Sequence, residues 1–574
     1  MSETRTQAAV YVRETMLPPA PPPVTQRGAI KWLRENLFSG PLNILLTLLG
    51  LGVLWLLIGT FGPWLAHSVW NADSMVDCRR IVAETWGQGA HGACFAVVKH
   101  RWNQFLFGFY PPVLYWRPVL AFGLLFLALA PVLFSDGTRA RRVVLALATV
   151  LTFVIAMVLG APTTVLLAIA VLMLAWTLLI ETRTSRALLA SLIYPLLAVW
   201  LLWGGSLWSE ISIVVFAVLS LLLWRFLNRP LDGMLGAALG LIVGLATAIV
   251  VYTVFTQISG ILFGLFEMGQ RWAVNGGAIL KAFGWGLTII SWPLAYLTLG
   301  LGWIAPFGWI IGATLMGRKS TASLGLIAAV ALFVGLLVFL LWPLVGQLEG
   351  VLSLASARVS SNLFGGFVLS IAIGVAGIAL SLPLGIILAL ARRSDLPVIK
   401  ILAVMFIEFI RGVPLITLLF VASLLLNYFL PPGTNFDIIL RVIIMVTLFA
   451  SAYMAEVIRG GLAALPRGQY EAADALGLDY WKAQRLIVLP QALKISIPGI
   501  VSTFIGLFKD TTLVVFVGLF DPLKGMTDTI RANFEWKGAY WEPYIFVGAI
   551  FFILCFGMSR YSMYLERRLK RDNR

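Results

Sequence analysis

The sequence predicts an all-α protein that crosses a membrane many times. Of its 574 residues, 60% are hydrophobic and 12% are charged, and the mean hydropathy is +0.93. These values exclude a soluble globular protein with an ordinary charged surface. At about 20 apolar residues per crossing, the apolar runs predict roughly fourteen transmembrane helices. The excess of 42 Lys and Arg over 26 Asp and Glu is explained by cytoplasmic loops rather than by nucleic-acid binding.

The basic residues recur in alternate loops, and this alternation orients the chain. Loops rich in Lys and Arg stay on the cytoplasmic side of a membrane, and a single topology with both termini in the cytoplasm satisfies every basic cluster. The clusters predicted to be cytoplasmic are Arg27 to Arg34, Arg139 to Arg142, Arg183 and Arg186, Arg225 and Arg229, Arg318 and Lys319, Arg392 and Arg393, the loop from Arg459 to Arg485, and Arg567 to Arg574.

Residues 1–40 are predicted to be a disordered cytoplasmic tail, because they are polar and rich in proline. Residues 41–135 are predicted to form the first two transmembrane helices and the loop between them. The first apolar run begins near Leu42 and is long enough to span the membrane, which favours a retained anchor over a cleavable signal peptide.

The loop from about His67 to Trp116 is predicted to face outward, and it contains Cys78 and Cys94. An oxidising periplasm would let these two residues form a disulfide that closes a loop of about 16 residues and contributes roughly 3 kcal/mol. Two unpaired thiols are the alternative. The histidines of this loop match no zinc signature, so no metal site is predicted.

Residues 136–350 form an additional hydrophobic transmembrane block. This block has almost no ionisable residues inside its spans, whereas ion-coupled carriers usually need them for a relay or an ion site. Glu267, Arg271 and Lys281 interrupt the segment from about Ile261 to Leu315, which is therefore expected to kink or re-enter. Arg318 stands where a phosphate-binding loop requires lysine, so no ATPase is predicted in this chain.

In residues 351–574, polar side chains enter or border the spans, and a patterned loop covers residues 459–490. Its sequence ALPRGQYEAADALGLDYWKAQRLIVLP predicts a helix between Pro466 and Gly477. Asp479 can cap a second helix that runs to Pro490. The alanines make the first helix thin, so that it can enter a groove on another protein, and Glu471 offers an anion to a basic partner. The two helices are therefore expected to dock on another protein.

This loop resembles the EAA motif of the membrane subunits of binding-protein-dependent ABC importers. The matching positions are Glu471, Ala472, Ala473, Gly477, Ile487, Leu489 and Pro490. The segments FIEFIRGVPLITLLF, AYMAEVIRGGLAALPRGQ and LFKDTTLVVFVG resemble the polar amino-acid branch of that family. The N-terminal PVTQRGAIKWLRENLFSGPLN and the cysteine-containing loop resemble the M-type permease of general L-amino-acid importers. The resemblance does not cover the block between about Val143 and Trp342.

The resemblance implies a permease subunit of an ATP-driven importer in the bacterial inner membrane, with a C-terminal five-helix core of the type I fold. It implies a separate cytoplasmic ATPase that binds ATP and Mg²⁺, a second homologous permease that is a different chain, and a periplasmic amino-acid-binding protein. This chain is expected to bind no cofactor itself. The loop helix would seat in a cleft of the ATPase and transmit its closure to the permease.

Several importers of this branch bind the amino acid near the middle of the core helices. The candidate contacts in this chain are Ser451, Tyr453, Thr503 and Asp510, with Thr417 and Ser423 behind them. Hydroxyl groups with one carboxylate suit a zwitterion. The alternatives are a salt bridge for Asp510 and hydroxyl bonds to the serine's or threonine's own helix. Relatives that import basic amino acids tend to have an Asn-Glu pair where this chain has Ser502 and Thr503, which favours broad or neutral L-amino-acid specificity.

Three other classes of protein were weighed against an importer subunit. A secondary carrier should show two related halves with polar residues in both, whereas polarity here is confined to the last third. A membrane enzyme would need a reactive cluster at one membrane face, and the sequence shows none. A non-transporting scaffold that keeps the permease fold is the third alternative.

Overall fold

The computed structural model describes residues 28–571 except for 134–137, 164, 168–169, 172–183, 228–232, 320–328, 331, 334, 352–354 and 426–436. The described chain divides into two compact units. The first contains the chain up to His100 together with Glu535–Glu542, and the second contains Arg101–Phe534 and Pro543–Arg574.

The N-terminal segment contains a helix where a disordered tail is predicted. Helix α1 covers Gly28–Asn36, so the prediction for residues 1–40 is wrong over that range, and residues 1–27 lie outside the described residues. The sequence supports a helix because Lys31 and Glu35 form an i,i+4 ion pair at 3.8 Å. Helix α2 (Pro41–Ala66) follows and is apolar along its whole length, as expected for the first span.

The cysteine-containing segment folds around a disulfide. Helix α3 (Met75–Trp86) begins at Ser74, whose Oγ accepts a hydrogen bond from the Asp77 N–H at 3.2 Å. Cys78 on this helix is bonded to Cys94, with the two Cα atoms 5.9 Å apart. Both cysteines are buried, and the Cys94 N–H donates to Glu542 Oε1 at 2.8 Å. The bond thus fixes α3 to the segment that precedes the next helix.

The part of the second unit before residue 233 consists mainly of apolar helices. Helix α4 (Ala96–Phe107) begins in the first unit and continues into the second. The helices after it are α5 (Trp116–Leu133), α6 (Thr138–Val158), α7 (Thr184–Trp203) and α8 (Leu207–Leu227). Helix α5 packs against both α6 and α7. Between α7 and α8, strand β1 (Gly205–Ser206) pairs antiparallel with β2 (Ala355–Ser356), which connects this block to the chain just before the C-terminal helices.

Two unusually long helices make up the centre of the chain. Helices α9 (Gly233–Asn275) and α10 (Ala278–Lys319) have 43 and 42 residues, and they pack against each other. At 1.5 Å per residue each is about 64 Å long, roughly twice the hydrocarbon thickness of a bilayer. The segment from about Ile261 to Leu315, which is expected to kink or re-enter, breaks between Asn275 and Ala278, where α9 ends and α10 begins. Glu267 and Arg271 form an i,i+4 pair at 3.7 Å on α9.

The C-terminal third contains five spans, as predicted for the permease core. After α11 (Leu341–Val351) come α12 (Gly366–Arg392), α13 (Pro397–Gly412) with α14 (Leu415–Phe420), α15 (Ile438–Ala463), α16 (Gly468–Ala475), α17 (Tyr480–Ala483), α18 (Leu489–Asp510), α19 (Gly525–Ala532) and α20 (Trp541–Arg571). Helices α13 and α14 are bent by 103° at the break between them and are long and apolar enough for a span only when counted together. The spans are therefore α12, the bent pair, α15, α18 and α20.

Fewer candidate spans than predicted are found in the part of the chain that the structure describes. Within the described residues, eight helices are long and apolar enough to cross a membrane, or nine with the bent pair counted as one span. The prediction of roughly fourteen is therefore not confirmed. One physical reason is that apolar runs in the central block continue as single long helices where several separate crossings were predicted.

The core helices approach each other closely near the cytoplasmic loop. A Cβ atom at Gly461 on α15 would lie 2.0 Å from Ser496 Oγ and 2.5 Å from the Ala492 carbonyl oxygen on α18. Only glycine fits such a contact with a neighbouring backbone. A hydrophobic cluster that includes Ile407, Ile458 and Val488 joins the helices at this end.

We predict that removing the disulfide destabilises the first unit. Replacing Cys78 and Cys94 by serine should lower its free energy of unfolding by about 3 kcal/mol, because the unfolded chain regains the freedom of the closed loop. Thermal unfolding of the purified protein, followed with and without reductant, measures the change. The control is Cys555→Ser, since Cys555 is the free cysteine. Equal stability of the double variant and the wild type in the absence of reductant would contradict the prediction.

Candidate functional site

The EAA segment, defined here as residues 464–488, connects α15 to α18. It is shorter than the predicted loop of residues 459–490, because α15 continues to Ala463 and α18 already begins at Leu489. Within the segment, α16 is followed by a sharp turn, the short helix α17 and a π-helical turn over Gln484–Val488. The predicted pattern of two helices joined by a turn is therefore present.

The turn after α16 depends on Gly477. Its φ of +66° lies in the left-handed region that favours glycine. The Leu478 N–H donates to the Ala473 carbonyl at 3.2 Å, and the Gly477 N–H donates to the Asp474 carbonyl at 2.9 Å. These two bonds define a Schellman motif, which satisfies the last carbonyl groups of a helix. Gly477 thus ends α16 and reverses the chain.

The second half of the segment leads without a break into a transmembrane helix. Asp479 Oδ1 accepts a hydrogen bond from the Lys482 N–H at 2.9 Å, and this bond lowers the pKa of the Asp479 carboxyl. The prediction that the second helix ends at Pro490 is wrong, because Pro490 lies in the first turn of α18. Proline lacks an N–H group, and the wider π-helical turn before it accommodates the missing bond.

The residues of the motif face in different directions. Glu471 and Ala472 are exposed on α16, whereas Ala473 is 1% exposed and faces the chain's own interior. Of the alanines that make this helix thin, Ala473 therefore packs inward and is not available to a docking partner. Ile487 and Leu489 are half-buried and Pro490 is exposed. The large apolar side chains that point outward are Leu476, Tyr480, Trp481 and Leu486.

Two polar contacts attach α16 to the transmembrane helices. Arg393 at the end of α12 donates to the Tyr470 hydroxyl at 2.9 Å, and its guanidinium carbon lies 5.5 Å from the centre of the Tyr470 ring. Gln491 on α18 donates to Gln469 Oε1 at 2.8 Å. A displacement of α16 therefore acts on both α12 and α18.

A cluster of charges connects three core helices at the same end. Glu456 on α15 lies 2.6 Å from Arg392 on α12, 3.0 Å from Arg459 and 3.9 Å from Arg411 on α13. Arg392 also binds Glu408 at 2.9 Å. Arg392 thus joins Glu408 on α13 to Glu456 and Arg459 on α15. The side chain of Glu456 is only 16% exposed, so the centre of this cluster is largely buried while Glu408 at its edge is 54% exposed.

The two substrate candidates on α15 lie on opposite sides of the helix. Ser451 is fully buried, and its hydroxyl donates to the Leu448 carbonyl at 2.7 Å. Tyr453 is 37% exposed, packs on Phe449 and lies under the guanidinium of Arg411. Residues two apart on an α-helix are about 200° apart around its axis. Ser451 and Tyr453 thus do not face one ligand from this helix.

The remaining candidates are distributed over α14, the following π-helical turn and α18. The Thr503 hydroxyl donates to the Gly499 carbonyl at 2.9 Å, a bond within its own helix. Asp510 is half-buried, and among the described residues no ion pair within 4.0 Å is found for its carboxylate. Thr417 is exposed, and the Ser423 carbonyl accepts from Arg441 at 2.8 Å. No hydrogen bond joins any two of the six candidates within the described parts of the chain.

Sequence reasoning did not identify the contacts of Arg392, Arg393 and Tyr470. Arg392 and Arg393 follow directly after a long apolar run, and this pattern indicates the orientation of the chain but not the contacts of the two side chains. In the residues covered by the structure, no group of three His, Cys, Asp or Glu side chains could hold a metal ion.

Comparison with known proteins gives matches over the core and over the whole chain. Residues 381–571 match the profile of the "Binding-protein-dependent transport system inner membrane component". The glutamate/glutamine/aspartate/asparagine transport system permease protein BztC of Rhodobacter capsulatus is 49% identical over 98% of this chain and 99% of its own length. The inner membrane amino-acid ABC transporter permease protein YhdY of Escherichia coli is 46% identical over 54% of this chain and 74% of its own length.

Among solved structures, an amino acid ABC transporter with histidines matches 35% of this chain and 91% of its own chain, with 31% identity and a TM-score of 0.32.

The alignment with the Rhodobacter capsulatus relative, over 98% of this chain, also includes the central block of residues 136–350, which the family resemblance in the sequence did not cover. The block is therefore shared with at least one relative of nearly equal length.

A five-span core with an EAA segment on an exposed turn defines a membrane permease that works with partner subunits. The chain belongs to the permease subunits of binding-protein-dependent amino-acid ABC transporters. It is a multi-pass inner-membrane subunit of an amino-acid importer, and the family implies an ATP-binding subunit and a substrate-binding protein as partners. This favours the importer over the secondary carrier and the membrane enzyme.

We predict that Glu456 is more important for stability than Glu408. Glu456→Gln should lower the free energy of unfolding by roughly 1–3 kcal/mol, because it leaves three arginines around a partly buried neutral group. Glu408→Gln should cost less than about 1 kcal/mol, because Glu408 is 54% exposed and contacts one arginine. Thermal unfolding in detergent compares the two variants. Equal losses would contradict the central position of Glu456.

Proposed function

We propose that this permease imports glutamate, glutamine, aspartate and asparagine, driven by a separate ATPase that docks on the EAA segment. The coupling of the ATPase to the permease rests on one observation. The backbone is helical from Tyr480 to Asp510 and joins the exposed segment directly to a core span. ATP and Mg²⁺ bind the partner ATPase, which performs the hydrolysis, and this chain contributes no catalytic group.

The substrate class rests on similarity over the whole chain. The Rhodobacter capsulatus relative, whose name specifies the two acidic amino acids and their amides, is 49% identical over nearly the full length. This class is narrower than the broad L-amino-acid specificity expected from the sequence. It agrees with the absence of the Asn-Glu pair that relatives importing basic amino acids tend to have, since this chain has Ser502 and Thr503 at those positions.

The assembly contains a second, homologous permease encoded as a different chain. The family resemblance and the heteromeric character of its general amino-acid branch support this arrangement. The basic loops place both termini in the cytoplasm, with the EAA segment on the same side, where a soluble ATPase can reach it. The periplasmic binding protein then delivers the amino acid from the opposite side.

The coupling residues of this proposal are the exposed members of the motif. Glu471 and Ala472 face outward on α16, and Gly477 sets the direction in which α17 leaves the turn. Ala473, Ile487 and Leu489 hold the segment against the chain's own core. Pro490 lies where the segment continues into α18. An ATPase that displaces α16 would therefore displace α18 and, through Arg393, α12.

We predict that Gly477→Pro and Glu471→Lys abolish ATP-driven uptake of L-glutamate in vesicles that contain the complete importer. Proline fixes φ near −65° and is incompatible with the left-handed turn, and lysine reverses the charge offered to the ATPase. Gly477→Asn is the matched control for the turn, because asparagine tolerates this conformation. Glu84→Lys on α3 makes the same charge change outside the segment.

Both loss variants should remain inserted and keep the five-span core. Copurification of the ATPase with each variant distinguishes two causes of lost uptake. A variant that loses the ATPase has lost docking, and a variant that keeps the ATPase has lost the transmission of its movement to the core helices. Wild-type uptake by both Gly477→Pro and Glu471→Lys would contradict the coupling proposal, and so would equal loss in the two control variants.

We further predict that Asp510 contacts the amino acid during passage and that Ser451 does not. Asp510→Asn should reduce the maximal uptake rate about tenfold or more, because a carboxylate is the partner that an ammonium group needs. Ser451→Ala should keep uptake within about twofold, because its hydroxyl already bonds its own helix. Uptake at saturating binding protein measures both. An unchanged rate for Asp510→Asn would assign this residue a structural role.

A further inference from the structure

A cavity lies where the central block meets the chain that leads into the permease core. Its volume is about 360 Å³, and Trp203, Ser206, Val345, Arg358 and Val359 contribute to its lining. The cavity adjoins the end of α7, the start of α8 and Val345 in the middle of α11. In the predicted topology these helix ends lie at the periplasmic surface of the inner membrane. Trp200, Trp203 and Trp208 are close to the cavity, and tryptophan is typical of the boundary between a membrane and water.

The cavity has one cationic side. Arg358 is exposed, and in the described part of the chain no hydrogen bond or ion pair is found for its guanidinium group. The apolar walls formed by Trp203, Val345 and Val359 leave this group as the donor available to a ligand inside. A guanidinium binds phosphate or carboxylate oxygens through two parallel N–H bonds.

An acidic side chain is bonded to one residue of the cavity lining. The Ser206 hydroxyl, which belongs to the cavity lining, donates to Glu349 Oε1 on α11, and it also accepts from the Trp208 N–H at 3.2 Å. These two hydrogen bonds of the Ser206 hydroxyl hold Glu349 beside the cavity. Among the described residues no hydrogen bond to the second carboxylate oxygen is found. Glu349 therefore offers an acceptor of the kind that a primary ammonium group requires.

We infer that this cavity binds a zwitterion in which a primary ammonium group stands near an oxyanion. Arg358 binds the oxyanion, and Glu349 binds the ammonium group. Two sources have this chemistry, an aminophospholipid headgroup and a free amino acid. The apolar walls and the position at helix ends favour the lipid, because its acyl chains can lie along the apolar surface of the block.

A ligand in the cavity would also affect the permease core. Trp203 Nε1 donates to Ser361 Oγ at 2.7 Å, and Ser361 donates to Asp437, which accepts from the first N–H groups of α15. The wall of the cavity is thus connected by hydrogen bonds to the start of α15. A ligand that packs on Trp203 stabilises this connection.

The test uses the purified full chain in detergent and native mass spectrometry with phospholipids of identical acyl chains. Phosphatidylethanolamine should be retained about tenfold more than phosphatidylcholine, which has no N–H donor for Glu349, and more than phosphatidylglycerol. Arg358→Gln should lower phosphatidylethanolamine retention about tenfold. Glu349→Gln should remove the preference over phosphatidylcholine. Arg271→Gln on α9 is the control, since Arg271 is an exposed arginine of the same block.

Thermal unfolding gives a second measurement that does not depend on retention in the gas phase. Phosphatidylethanolamine should raise the unfolding temperature of the wild type more than phosphatidylcholine does, and Glu349→Gln should lose this difference. Displacement of the lipid by millimolar L-glutamine, dependent on both Arg358 and Glu349, would support the site and assign it to a free amino acid. Equal retention of the three lipids, or no effect of Arg358→Gln and Glu349→Gln, would overturn the inference. These measurements need no ATPase, so their failure is separate from failure of the proposed transport function.

Discussion

The continuity of helical backbone from the EAA segment into α18 is the constraint on which the rest of the arrangement depends. A proline at position 490 would be expected to stop a helix, yet the π-helical turn over Gln484–Val488 lets the chain pass through it. Upstream, the Schellman motif at Gly477 fixes the angle between α16 and α17. A surface element of two short helices thus becomes an extension of a transmembrane helix. Because packed helices are hard to deform, displacement of this element moves the span with it.

The contacts around the segment spread that displacement over the core. Arg393 connects α16 to α12, and Gln491 connects it to α18. At the same end, Glu456 joins α12, α13 and α15 through arginines. A charge cluster that is partly buried is favourable only while its members stay together, because a carboxylate or guanidinium left alone there loses both its partner and its water. The helices are therefore expected to move as a group, which is what rigid-body alternation between two orientations requires.

The sequence predicted the parts of this fold that depend on local chemistry. The turn at Gly477 and the cap at Asp479 follow from residues whose backbone preferences are strong, whereas the five-span core is what the family resemblance implied. The number of helices is not confirmed within the described residues, because hydropathy does not distinguish one helix of 43 residues from two shorter spans. The inward position of Ala473 and the ion pairs of Arg392 with Glu408 and Glu456 depend on tertiary packing. Periodicity in one segment contains no information about contacts with distant segments.

Distance measurements between spin labels at positions 476 and 486 test the central claim most directly. Both side chains are exposed, and they lie on the two sides of the Gly477 turn, so labels there report whether the segment changes shape. The assembled importer would be measured without nucleotide and with ATP trapped on the partner ATPase. The account predicts an unchanged distance within the segment together with a changed distance between position 476 and a label on the second permease. A distance within the segment that shifts between the two states would contradict a rigid element that moves with α18.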